Sequence, residues 1–227
     1  MASYKVNFAS CKGLEEPAKM VSAMEEFGLA EGEEVGILHS NATSAAAFGT
    51  LVRRTNMAVQ KINGETREVL TASVERVNLI PFGTFANKSR LEVYAGSASS
   101  IEQVGTFLSS GLSLATVTEP IEFDVQTAVE KLMKSTQRFV LRAIRVTDYA
   151  ANSYMIGPYS PKFMDTEHAL KFMEEYAEAI ATVQVRFAGK TSKANVTLTP
   201  NACFSYSCAE DDQPEIQQIL RGLIEKQ

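Results

Sequence analysis

Residues 183–208 read VQVRFAGKTSKANVTLTPNACFSYSC, and this stretch decides the fold class. Val183, Val185 and Phe187 alternate with polar neighbours, as in a strand with one face turned inward. Gly189-Lys-Thr-Ser192 turns the chain. Val196 and Leu198 face inward on a second strand, Pro200-Asn201 turns it again, and 203–208 makes a third. Strands joined by turns this short run antiparallel, because a parallel crossover needs about a dozen residues or more.

The same signals recur upstream. Asn63-Gly64 separates the extended runs 57–62 and 65–80. Both residues of that pair tolerate positive φ, so they predict a hairpin with a type I′ turn. Further strands are expected over 34–40, 44–53, 90–95, 112–123 and 136–147. On 90–95, Leu91, Val93 and Ala95 share one face and Arg90, Glu92 and Tyr94 the other, which predicts a half-buried strand. On 136–147, Phe139, Leu141 and Ala143 suit the core, with Arg138 and Arg142 opposite.

Helical spacing appears between these runs. Residues 14–27 place Leu14, Met20, Val21, Met24 and Phe27 on one stripe, with Pro17 in the first turn and Gly28 at the end. Ser99 and Glu102 have the spacing of a capping box, as do Asp212 and Glu215 ahead of the last helix. A helix is expected to begin at Asp124 and bury Val125, Ala128, Val129, Leu132 and Met133. Another is expected over 166–180. The class is therefore α+β, a mostly antiparallel sheet with about five helices packed on it. Residues 1–135 read as an N-terminal α+β half and 136–227 as a C-terminal α+β half, joined as one domain or two. Each half shows a helix, a meander and a helix, a pattern that suggests a pseudo-repeat. The pattern is similar, in topology alone, to paired helix-on-curved-sheet folds such as the TATA-box-binding fold and sliding-clamp domains. Topology of that kind carries no functional expectation.

Bulk composition narrows the function classes. The chain has 227 residues, 45% of them hydrophobic and 22% charged, which excludes a disordered polyelectrolyte. Its formal net charge is −5, without the overall basic surplus of a non-specific nucleic-acid binder. Residues 1–135 carry a net −4 and residues 136–227 a net −1, so no half is basic. Cys11, Cys203 and Cys208 are too few for a disulfide framework and are expected to be reduced. The N-terminus has no basic segment followed by an apolar run, and no apolar stretch approaches the roughly 18 residues of a membrane span. These features predict a cytoplasmic protein without membrane contact.

No catalytic constellation emerges. Gly189-Lys190-Thr191 resembles the end of a phosphate-binding loop, but Gln184 stands where that loop needs its first glycine, and strand follows rather than helix. A pairing of Cys203 or Cys208 with His39 or His168 is not supported by any spacing. The acidic run Glu210-Asp211-Asp212 lacks calcium-loop spacing and fits a helix N-terminus. The reading assigns no catalytic residue, no cofactor and no metal, and it leans away from an enzyme.

The stretch 148–165, DYAANSYMIGPYSPKFMD, is expected to be a long aromatic loop. Tyrosines suit interfaces because they join a large apolar body to a polar tip. Tyr149, Asn152, Tyr154, Tyr159, Lys162 and Phe163 are therefore the candidate partner-binding residues. Residues 80–85 form a second aromatic loop in this reading. The expected function is a non-catalytic interaction protein that binds a protein partner or associates with itself. The alternative is a nucleic-acid-binding sheet face carrying Arg138, Arg142 and Arg186. A third reading is an enzyme with an unrecognised site near the 148–165 loop.

Overall fold

The structure is a computed structural model and describes residues 2–62, 64, 67, 69–94, 98–152 and 155–225. The side chains of Leu70, Ala98, Ala151, Asn152 and Met155 also lie outside the description. Asn63 and the Ala95 end of the predicted strand 90–95 fall outside the described residues. The fold class is α+β, with five α-helices and a mostly antiparallel sheet. The chain divides into two compact units, Ser10–Glu119 and the pair Met1–Ala9 with Pro120–Gln227.

The first strand, β1 (Ala2–Lys12), is an element that the sequence reading did not assign. Val6, Phe8 and the residues between them are buried, so this strand is covered on both sides. Its last three residues belong to the Ser10–Glu119 unit. There α1 (Pro17–Phe27) is followed by β2 (Val35–Ala42), β3 (Ala47–Ile62), β4 (Val69–Phe85) and β5 (Arg90–Val93). Helix α2 (Ala98–Thr106) continues into a π-helical turn, Phe107–Gly111, and β6 (Val117–Pro120) follows. The strand order is β2-β3-β4-β5-β1, with β6 also paired to β1. Helix α1 packs on β2 and β3, and its Met20 and Met24, like Leu51, Ile80 and Phe82 of the sheet, are almost fully buried. Gly49 permits this approach, since a Cβ there would stand 2.8 Å from the Met24 sulfur. Gly13 has φ +77°, and a Cβ on it would meet the Ala115 carbonyl oxygen at 2.1 Å.

Several boundaries differ from the expectations, each for a physical reason. The runs 44–53 and 57–62 are one strand, because β3 pairs with β4 without a break from Ala47 to Ile62. Residues 80–85 are not a loop. They close β4, and Pro81 sits opposite Thr50 within the ladder. Only Val117–Pro120 of the expected strand 112–123 is extended. Ser99 lies inside α2 rather than at its N-cap. Strand β5 is buried on both faces, because Arg90 and Glu92 neutralise each other at 2.9 Å.

The other unit contains α3 (Val125–Ser135), β7 (Val140–Asn152), β8 (Met155–Tyr159), α4 (Thr166–Glu175), β9 (Ile180–Ala188), β10 (Lys193–Leu198), β11 (Cys203–Cys208) and α5 (Gln213–Ile224). Asp124 caps α3 by accepting from the Gln126 and Thr127 N–H groups, and Asp165 caps α4 through the His168 N–H. The strand order is β1-β11-β10-β9-β7-β8. The meander expected over 183–208 is present as β9, β10 and β11. Val183, Val185, Phe187, Ala194, Val196, Leu198, Phe204 and Tyr206 are buried on one face. The alternate residues on the opposite face are half-buried or exposed. A bulge between Leu141 and Ala143 shifts the parity of β7, so Ile144 and Val146 enter the core in place of Ala143.

Asp212 is not the cap that the sequence spacing implied, since no side-chain capping bond is made at α5. Its carboxylate turns instead to the β9–β10 turn and accepts from Thr191 N–H, Ser192 N–H and the Ser192 hydroxyl at 2.8–2.9 Å. Among the described residues no helix is long and apolar enough to cross a membrane.

Candidate interaction surface

The stretch 148–165 is a hairpin rather than a loop. Strand β7 continues to Asn152 and β8 returns, with Val146 opposite Tyr159 and Tyr149 opposite Gly157. Register shifts along the pairing bend the ribbon. A single bridge, Ala143 to Lys162, extends the contact beyond β8.

This geometry gathers three of the predicted residues. Tyr149 and Tyr159 stack with centroids 4.3 Å apart. Phe172, from α4, lies within 6.4 Å of Tyr149, Tyr159, Phe163 and Tyr176, and closest to Tyr176 at 4.6 Å. Tyr176 also contacts Tyr149 at 5.5 Å. Five rings thus form one cluster, and none is fully buried: Tyr159 is 43% exposed and the others are half-buried. Lys162 is exposed beside them. Tyr154 and the Asn152 side chain lie outside the described residues. The Met164 side chain, next to Phe163, is wholly exposed, and Ile156, on the opposite face of β8, is 73% exposed. Phe172 and Tyr176 are the members that sequence reading did not assign to the surface. The signal was present, since Phe172 and Tyr176 are four apart on a helix and so share a face.

The alternative residues are placed differently. Arg138 and Arg186 line a cavity of about 510 Å³ with Lys190 and Lys193. Arg142 is exposed at the β7 bulge and does not line it. Arg186 donates to the Asn195 side-chain oxygen at 2.8 Å. The Thr191 and Ser192 amides serve Asp212, so the Gly189-Lys190-Thr191 turn has no free amide cradle for phosphate.

The Ser10–Glu119 unit offers a separate exposed feature. Beyond Arg54 and Val77 the β3–β4 ribbon has nearly every described side chain in solvent, including Met57, Ile62, Val69, Val74 and Val77. The hairpin was expected; its projection was not, because sequence alternation does not report what covers either face.

No family model matches the chain, and no curated protein matches it. Chemistry within the site is limited. Burial pushes all three thiols up, Cys11, Cys203 and Cys208, which disfavours the reactive thiolate. Cys203 is half-buried and Cys208 buried, on opposite faces of β11. His168 is exposed, with its Nδ1 2.7 Å from the capping carboxylate of Asp165. Among the described residues no three His, Cys, Asp or Glu side chains gather as a metal site.

Proposed function

We propose that the chain is a non-catalytic binding protein that docks a protein partner, or a second copy of itself, through the exposed side of the aromatic cluster. One observation carries this reading. Tyr149, Tyr159, Phe163, Phe172 and Tyr176 support one another, yet all keep surface in solvent. Rings held by each other lose little further freedom on binding, and rigid aromatic anchors dominate interface energies. The exposed Met164, next to Phe163, widens the apolar patch.

The test uses Tyr159→Ala combined with Met164→Ser in the full chain. Association is followed by sedimentation velocity and by affinity capture from the native cell, and folding by thermal melting. Truncating a hot spot costs about 2 kcal/mol or more, so affinity should fall at least about tenfold while the melting temperature stays close to wild type. A lowered melting temperature with unchanged association would mean that the rings only cap their own unit.

A further inference from the structure

The outward face of the sheet in the C-terminal unit is poor in acidic side chains. From residue 180 to residue 208 the chain contains no Asp or Glu, and neither does β1. In β7 the sole acidic residue is Asp148, near the far end of the strand. Strand register places Lys5 beside Ser205, Arg186 between Val140 and Asn195, Arg145 beside Thr182, and Lys193 beside Ala188. All of these alternate with the buried residues, so they share the outward face. A protein of net charge −5 has thus kept most of its carboxylates off one face.

The cavity stands on this face. Arg138, Arg186, Lys190 and Lys193 surround it, and none forms an ion pair with a described carboxylate. Four like charges around one space repel each other, and an anion from outside removes that repulsion. Asp212 reaches the same turn, held by Thr191 and Ser192, and its single charge offsets only part of the four, so a net positive charge remains. Arg138 is also held at φ +53°, a conformation that a non-glycine residue adopts only at a cost. Strain of this kind clusters at functional sites. The Ala188 N–H bonds the Gln137 carbonyl at 2.9 Å and ties this strained turn to β9.

We propose that this face binds the phosphodiester backbone of double-stranded nucleic acid, with the cavity seating a phosphate between Arg138, Arg186, Lys190 and Lys193. This goes beyond the docking role of the aromatic cluster and does not depend on it. The extent of the face favours a polymer. The four strands β11, β10, β9 and β7 at a spacing of about 4.8 Å span roughly 14 Å, wider than one phosphate group. The residue types favour a duplex. No outward position on these strands is aromatic, whereas single-strand binders stack bases on rings. Duplex phosphates are held by charge alone, without base readout.

Fluorescence anisotropy with a labelled DNA duplex of about 20 base pairs, titrated with the full chain between about 50 and 200 mM salt, tests the proposal. Binding should weaken steeply with salt. Lys190→Ala with Lys193→Ala should weaken it at least about tenfold at low salt and lower the salt slope by about 1–2. Both lysines are exposed, so the melting temperature should not move. Arg145→Ala, outside the cavity, should also weaken binding. Absence of duplex binding at low salt overturns the proposal, and so does binding that is indifferent to the lysines. Pyrophosphate binding that needs the lysines, without duplex binding, also overturns it and assigns a small-phosphate site instead.

Discussion

Arg90 and Glu92 stand two positions apart on β5 and meet at 2.9 Å, with 5% and 1% of their side-chain surface exposed. The Tyr94 hydroxyl donates to Glu92 at 2.7 Å, and the Arg90 guanidinium lies 4.8 Å from the centre of the Phe85 ring. A pair this dry is costly to break, because the remaining charge stays buried without its counter-ion. Glu92→Gln should therefore cost about 3–5 kcal/mol in urea unfolding. Glu167→Gln removes an exposed pair with Lys171 and should cost no more than about 0.5 kcal/mol. Equal small losses would show that burial adds nothing to the first pair.

Asp212 gives the structure a pH dependence of known sign. Its carboxyl is held below the usual range, chiefly by the Thr191 N–H and further by Ser192. A carboxyl whose folded pKa lies below its unfolded value adds stability above the ordinary carboxylate range. That stability is lost as pH falls through this range toward the folded value. Asp212→Asn should lower the melting temperature at neutral pH and flatten part of its fall in acid. Asp124 and Asp165 are lowered too, by Thr127 and by His168, so some acid sensitivity should remain. A variant with an unchanged acid limb would remove Asp212 from the account.

Gly189 leaves room for the same carboxylate beside the turn. A Cβ there would stand 2.6 Å from an Asp212 oxygen. Gly189→Ala should therefore lower stability by about 1–3 kcal/mol, the usual cost of overpacking, measured by chemical denaturation. Combining it with Asp212→Asn should cost less than the sum of the two, since both act on one contact. Strict additivity would place the strain elsewhere.

How far the sequence could be read depended on whether local or distant residues decided each element. The meander 183–208 was legible because its alternation and turns are local. The same holds for the Asp124 and Asp165 caps, whose acceptors bond within three residues. Strand β1 was not legible although Val6 and Phe8 alternate with Lys5 and Asn7, because Asn7 and Ala9 are buried too, which blurs the alternation that marks a half-buried strand. Asp212 was misread for a different reason. Its spacing to Glu215 fits a cap, but its real partners lie 20 and 21 residues upstream. At the candidate surface Tyr149, Tyr159 and Phe163 were found from composition. Phe172 and Tyr176 were not, because their place in the cluster depends on a hairpin distant in sequence that packs against them. Segregation of charge onto one sheet face became visible only when strand register fixed which side chains point the same way.

The projecting β3–β4 ribbon yields the last prediction. Asn56 pairs with Glu75, and beyond them both strands have their side chains almost entirely in solvent. Core packing in this ribbon begins only at Val52, Leu51 and Ile80. A two-stranded ribbon in water is marginal by itself, so its outer part adds little to the unit that carries it. Excising residues 57–74 and joining Asn56 to Glu75 through an Asn-Gly pair should preserve the fold, because that dipeptide closes a two-residue hairpin. The melting temperature should stay within a few degrees of wild type, as expected when only exposed side chains are removed. Calorimetry of the shortened and full-length chains decides the matter. A cooperative transition lowered by more than about 8 °C would correspond to more than about 2 kcal/mol in a chain of this size. Such a loss would mean that the ribbon is part of the folding unit, not an arm carried by it.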